Sequence, residues 1–498
     1  MADGSASASL PSVSPHHQYH RNAIKSSVHN TAANRRREQA LVIGKERREA
    51  LMRAKRVCRA ALSGSDEAAA EDGDMVIDEG KADLEARTTQ AVEELKSALS
   101  SQGKGAQKRK TEVLHALRRL LSQSEVPPVD AAIKAGAVPL LVQYLLFGSS
   151  DEQLLEAAWC LTNIAAGEPE ETKSLLPALP LLIAHLGEKS TTLVAEQCAW
   201  AIGNVAGEGA ELRSTLLAQG PDSKAANELI GIDGVLNAIT RNLEKADEEL
   251  ATEVAWVVVY LSALSEKATS LIVRSSVPQL LIGRLLASEN LQLLIPVLRG
   301  LGNLVAGDGY MVDSVLIVGN SVTDQALSSL IKCLKSDNRV LKKEASWAMS
   351  NIAAGSFEHK KLIFASEATP LLMHLLRTAQ FDIRREAAYT LGNLCVVPAG
   401  SGNPPNIIIE HLVAIVDGGA LPGFINLVRS ADIESARLGL QFLELVMRGY
   451  PNSQGPKLVE AEDGIEAMER FQFHENEVMR NMANGLVDKY FGEDYGLE

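Results

Sequence analysis

EAAWCLTNIAAG, residues 156–167, returns along the chain in altered form. It recurs as EQCAWAIGNVAGEG (196–209), EVAWVVVYLSA (253–263), VLRGLGNLVAGD (297–308), EASWAMSNIAAG (344–355) and EAAYTLGNLCV (386–396). Aligned on the fourth residue after the aromatic position, the markers are Asn163, Asn204, Tyr260, Asn303, Asn351 and Asn393. Successive residue numbers therefore differ by 41, 56, 43, 48 and 42. These segments are rich in Ala, Leu and Ile, good helix formers or core residues, and none alternates polar with apolar as a half-buried strand does. Shorter helical stretches lie between them. In AAIKAGAVPLLVQYLLFG (131–148), Gly136 and Pro139 break the run into two helices.

Three helices in a period of about 42 residues define an armadillo repeat rather than a two-helix HEAT unit. The expected fold is therefore all-α, a right-handed armadillo-repeat superhelix (α-solenoid) with a basic N-terminal arm. Composition agrees: 46% of the 498 residues are hydrophobic but only 4% are aromatic, which suits helices packed on helices better than a sandwich or barrel. No stretch reaches the ~18 uncharged apolar residues of a membrane span. Cys58, Cys160, Cys198, Cys333 and Cys395 form no CxxC pair, so neither a zinc site nor a disulfide framework is indicated. His16, His17 and His20 sit in a low-complexity tail and suggest no metal centre.

Charge divides the chain. Residues 21–60 carry twelve Lys/Arg against three Glu, a net +9, while residues 61–498 carry −22 of the overall −14. The domain reading is a disordered tail (1–20), a basic arm (21–62), an acidic linker (63–81) and the repeat array (82–498). Such asymmetry implies that the arm binds elsewhere or folds back on the body.

Trp159 and Asn163 are one helical turn apart on one face, as are Trp200/Asn204 and Trp347/Asn351. Stacked helices lie roughly 8–10 Å apart, so the pairs form a ladder expected on the concave side. Three residues of an extended peptide, at about 3.3 Å each, pass a rung. The Asn amide offers a donor and an acceptor to a peptide backbone. Slots between indoles suit the stem and cationic head of Lys or Arg, each contributing ~0.5–2 kcal/mol. A single W-x-x-x-N reads most simply as core and cap; its repetition in register points to a ligand.

Ladder, arm and variant rungs together resemble importin-α, the nuclear-import adaptor. NRRREQALVIGKERREALMRAKRVCR (34–59) is similar to its importin-β-binding segment, with Arg35, Arg36, Arg37, Lys45, Arg47, Arg48 and Arg53 followed by an autoinhibitory end, Lys55, Arg56 and Arg59. Glu253, Trp256 and Tyr260 resemble the family's fifth rung, and Arg299/Asn303 its sixth. The resemblance implies a major groove of Trp159, Asn163, Gln197, Trp200 and Asn204, with a lysine pocket of Gly167, Thr172 and Glu208, where the family usually has Asp. It implies a minor groove of Arg299, Asn303, Glu344, Trp347, Ser350, Asn351, Glu386, Tyr389 and Asn393, Tyr389 replacing the usual Trp. The partners implied are importin-β, proteins bearing mono- or bipartite basic localisation signals, and an export receptor for recycling, in a protein shuttling between cytoplasm and nucleus. No cofactor, metal, nucleic acid or membrane insertion is implied.

The chain departs from the family in two places. Lys55-Arg56-Val57-Cys58-Arg59 thins the autoinhibitory cluster. The interval from Asn204 to Tyr260 is about 28 residues short of two repeats, which the deletion of a rung explains, with ordinary loop-length variation as the alternative; an irregular junction is expected near 209–232, and the major groove should be weakened more than the minor one. An enzyme is disfavoured: no GxxxxGK[ST], HExxH or GxSxG occurs. The alternative is an armadillo scaffold for signalling or cytoskeletal partners, which would line its groove with Lys/Arg for acidic ligands. Here the groove positions are Trp, Asn and Glu.

Overall fold

The computed structural model describes residues 77–492 except 102–104, 123–126, 147, 188–189, 208–226, 228, 307–308, 317–320 and 398–405. The tail, the whole basic arm from Arg35 to Arg59 and most of the linker lie outside the described residues, as do Glu208 and most of the expected junction. Among the described residues every regular element is a helix. They cluster into two compact units, divided between Ala348 and Met349.

In the first unit the rung residues ride on long helices: α1 (Ala106–Leu120), α2 (Asp151–Ala165), α3 (Thr192–Gly207), α4 (Glu248–Leu264) and α5 (Leu291–Leu304). α6 (Arg339–Ala353) begins in this unit. Two shorter helices precede a ladder helix. Before α2 they are Val129–Lys134 and Ala137–Tyr144, separated at Gly136, whose φ of 87° is left-handed backbone that a side chain would strain. Polar N-caps set where the ladder helices start. Ser150, Asp247 and Asn290 each accept from a backbone N–H in the first turn of α2, α4 and α5.

Each ladder helix packs on the next, α1 on α2, α2 on α3, α3 on α4 and α4 on α5. Sandwiched this way, α2 buries eleven of its fifteen residues, from Gln153 to Ala165, and loses the ordinary one-sided amphipathic pattern. Burying Leu161, Leu261 and Leu298, all with no exposed surface, contributes about 1.5–3 kcal/mol per side chain. The contact of α3 with α4 spans the short interval between Asn204 and Tyr260, so the ladder closes up there.

In the second unit, α7 (Phe381–Leu394) packs on α8 (Ile433–Gly449), and both follow pairs of short helices in the same order. A last triplet, Gly455–Ala461, Gly464–Glu469 and Glu477–Phe491, ends the described chain. The core pair here is Phe424 stacked on Phe442, 3.6 Å between ring centres. The architecture is the all-α armadillo array expected from the repeat period.

Candidate peptide-binding ladder

Three of the rung asparagines obey one rule. Asn204 donates its Nδ2 to the carbonyl of Thr162 at 3.3 Å, and Asn303 donates to Val259 O at 3.1 Å. In the second unit Asn393 donates to Ser350 O at 3.0 Å. Each acceptor stands one residue before the previous marker. Asn163 follows a variant of the rule, donating to Ser122 Oγ at 2.8 Å. The repeated Asn thus ties neighbouring ladder helices, a use of the residue that sequence reasoning did not foresee. Register between helices is reason enough for an Asn at this position, alongside any ligand.

What these ties leave over is also informative. Asn163 is 3% exposed, and its Oδ1 has no hydrogen-bond partner. Gln197, 2% exposed and one helix further on, has an equally unpartnered Oε1. Buried acceptors left this way cost about 1–3 kcal/mol each.

The indoles are more deeply seated than a row of open slots suggests: Trp159, Trp200, Trp256 and Trp347 are all buried. Trp159 carries the Arg118 guanidinium 4.3 Å above its ring. Arg118 also pairs with Glu156 at 2.5 Å. Arg118 and Ser122 form a rung that sequence reading missed, although they stand one repeat period before Trp159 and Asn163, where a rung is due. Trp256 stacks on Tyr260, centroids 5.8 Å apart, and Arg299 lies 5.8 Å from the Trp256 ring.

Glu344, expected beside the ladder as an acid for a basic ligand, accepts at Oε1 from Arg299 Nη2 at 2.8 Å, the Arg299 and Glu344 side chains being 3% and 9% exposed. Its charge is neutralised internally. Trp347 is seated because Gly302 makes room for it; a Cβ there would stand 2.6 Å from the ring.

At the lysine pocket, buried Thr172 donates to Glu168 O at 3.1 Å and approaches Ala165 O at 3.3 Å, while Gly167 closes the end of α2. Glu208 lies outside the described residues, and the Glu171 carboxylate stands beside Gly167. Its Oε2 accepts from the Glu168 backbone N–H at 2.7 Å, and burial pushes its pKa above the ordinary carboxylate value.

The second unit brings Glu386, Tyr389 and Asn393 together on α7, with Ser350 and Asn351 on its part of α6; all are buried. Glu386 lies 3.9 Å from Arg385 Nε. Buried Lys360 was missed. Its Nζ donates to Ala353 O at 2.5 Å and Asn393 O at 2.6 Å, joining the C-terminal ends of α6 and α7. It stands seven residues after the carbonyl it caps, as Thr172 and Thr269 do after Ala165 and Ser262.

Comparison with known proteins fits this geometry. The armadillo/β-catenin-like repeat model matches residues 125–166 and 356–396, and a HEAT-like repeat model matches 151–205. Importin subunit alpha-2 of Oryza sativa subsp. japonica is 78% identical, with all of both chains covered. The chain belongs to the importin-α family. Another importin-α, subunit alpha-9 of Arabidopsis thaliana, is 60% identical over 96% of this chain and 98% of its own. The alignment to the rice importin-α runs over 528 positions against the 498 residues of this chain, an excess close to what the short interval lacks. A solved engineered protein shares the fold, with a TM-score of 0.66 at 24% identity over 82% of this chain and 93% of its own.

Proposed function

We propose that this importin-α-family chain is a nuclear-import adaptor, not an enzyme. In this reading it binds Lys/Arg-rich localisation signals along the Trp/Asn ladder and hands them to importin-β through the basic arm. The observation that carries it is the pair of buried, unpartnered acceptors, Asn163 Oδ1 and Gln197 Oε1, beside Trp159 and Trp200. An extended peptide supplies backbone N–H groups to those oxygens, and its lysine stems lie along the indoles, as Arg118 already lies on Trp159. The −22 body favours basic ligands and disfavours nucleic acid.

The roles of Trp159, Asn163, Gly167, Thr172, Gln197, Trp200, Asn204 and Glu208, and of Asn303, Trp347, Asn351, Glu386, Tyr389 and Asn393, are part of this proposal, as are shuttling between cytoplasm and nucleus and an export receptor. Arg299 and Glu344 enter it as a mutually paired wall rather than a free charge. The test is a pull-down of full-length and residue 63–498 protein with mono- and bipartite basic peptides and with importin-β. Support is capture of peptide by both forms, more strongly by the shorter, and of importin-β by the full chain alone. Failure of both forms to retain any basic peptide refutes the reading.

A further inference from the structure

Thr172, Thr269 and Lys360 stand at one place in the repeat, seven residues after a carbonyl in the last turn of a ladder helix. Thr172 Oγ1 donates toward Glu168 O at 3.1 Å and Ala165 O at 3.3 Å. Thr269 Oγ1 does the same with Ser265 O at 2.8 Å and Ser262 O at 3.0 Å. These acceptors all lie in the threonine's own repeat. Lys360 reaches further. Its Nζ donates to Ala353 O at the end of α6 and to Asn393 O in the last turn of α7. The carbonyl ends of both helices carry partial negative charge, and the Lys360 ammonium, on a side chain only 2% exposed, sits between them.

A second difference lies one residue earlier. In the first unit Glu171 Oε2 accepts from the Glu168 backbone N–H at 2.7 Å; in the second unit His359 Nδ1 accepts from the Ser356 backbone N–H at 3.1 Å. Each side chain folds against the glycine just past its ladder helix, Gly167 or Gly355. Equivalent turns therefore present Glu171 and Thr172 in the first unit but His359 and Lys360 in the second. An outside cation meets opposite surroundings at the two. Beside Thr172 stand a neutral hydroxyl, a helix-end carbonyl and a carboxylate. Beside Lys360 the carbonyls already hold an ammonium, and a second like charge in a buried site is repelled.

We propose that Lys360 is the protein's own occupant of a lysine seat and a specificity-determining residue of the ladder. The turn at Thr172 takes a lysine of a basic peptide, and the turn at Lys360 refuses one because its seat is filled from within. The discrimination between the turns rests on the peptide-binding reading above; the filled seat does not.

The test has two measurements on the full-length chain. Acetylation of the wild type by an N-hydroxysuccinimide ester, read by mass spectrometry, should label Lys360 at least about tenfold more slowly than its exposed neighbour Lys361. Equal rates would empty the seat and overturn the proposal. The second measurement is fluorescence polarisation with a labelled bipartite lysine peptide. Lys360→Thr frees both carbonyls and should tighten binding about tenfold, the low end for one hydrogen bond to a charged group. Lys360→Met keeps the seat filled and should bind as the wild type does. The reciprocal change, Thr172→Lys, fills the first-unit seat and should weaken binding by about the same factor, which keeps the discrimination testable if Lys360→Thr fails to fold. Wild-type affinity in a folded Lys360→Thr or in Thr172→Lys overturns the discrimination and leaves the peptide-binding reading standing. No binding by the wild-type chain overturns that reading and the discrimination with it.

Discussion

Arg299 and Glu344, both expected in the groove, also hold neighbouring ladder helices together. Their pair is almost wholly buried at 2.8 Å, so removing one partner strands the other charge away from water, at a cost of about 3–5 kcal/mol. Glu344→Ala should lower stability by that order in urea unfolding, and Arg299→Met combined with Glu344→Gln should cost clearly less than the sum of its parts. Additive losses would show that the two charges do not depend on each other. His411 gives a pH test. Its Nδ1 lies 3.1 Å from Leu394 O and its ring stacks on Phe364 at 3.9 Å; burial lowers its pKa in the folded state. A base whose pKa is depressed by folding binds fewer protons folded than unfolded, so stability falls as pH drops through the unfolded value near 6.5. The wild-type melting temperature should therefore fall more steeply between pH 7.5 and 5.5 than that of His411→Gln; identical slopes would remove His411 as the cause.

The helices were legible from their spacing, because a 3.6-residue turn puts Trp159 above Asn163 whatever surrounds them. What spacing does not carry is the partner across a repeat. The Thr162 and Val259 carbonyls exist in every sequence, so nothing in the text marks them as acceptors for Asn204 and Asn303. Arg118 was legible in principle, one repeat period before Trp159, but lacks the aromatic that made the other rungs visible. Lys360 replaces a threonine by a residue of different chemistry at the same place, and pattern matching passes over it. The closing of α3 on α4 was hidden too, since a short interval predicts missing residues and not how the remaining helices meet. That closing has a measurable result. Backbone amides in the middles of α3 and α4 should exchange as slowly as those of α2, because each is covered by a ladder helix on both sides. Exchange in α3 and α4 much faster than in α2 would mean that the ladder is broken at the short interval.

At the scale of the whole molecule the +9 arm and the −22 body are the dominant fields. In the proposed function they draw basic ligands to the body, and the chain's own arm is one candidate among them. A tether raises the arm's local concentration to the order of mM, so even a ~10 μM self-contact competes about a hundredfold with cargo. The thinned Lys55–Arg59 cluster should reduce that effect, and deleting residues 1–62 should tighten peptide binding modestly. The central claim, that this body binds basic peptides through charge and indole together, is tested most directly by isothermal titration. The chain is titrated with a lysine-rich peptide and with its lysine-to-methionine counterpart, each at about 50 and about 200 mM salt. The account predicts binding of the lysine peptide that weakens with salt, and little or none of the methionine peptide. Equal binding of the two, or affinity for the lysine peptide that ignores salt, would contradict it.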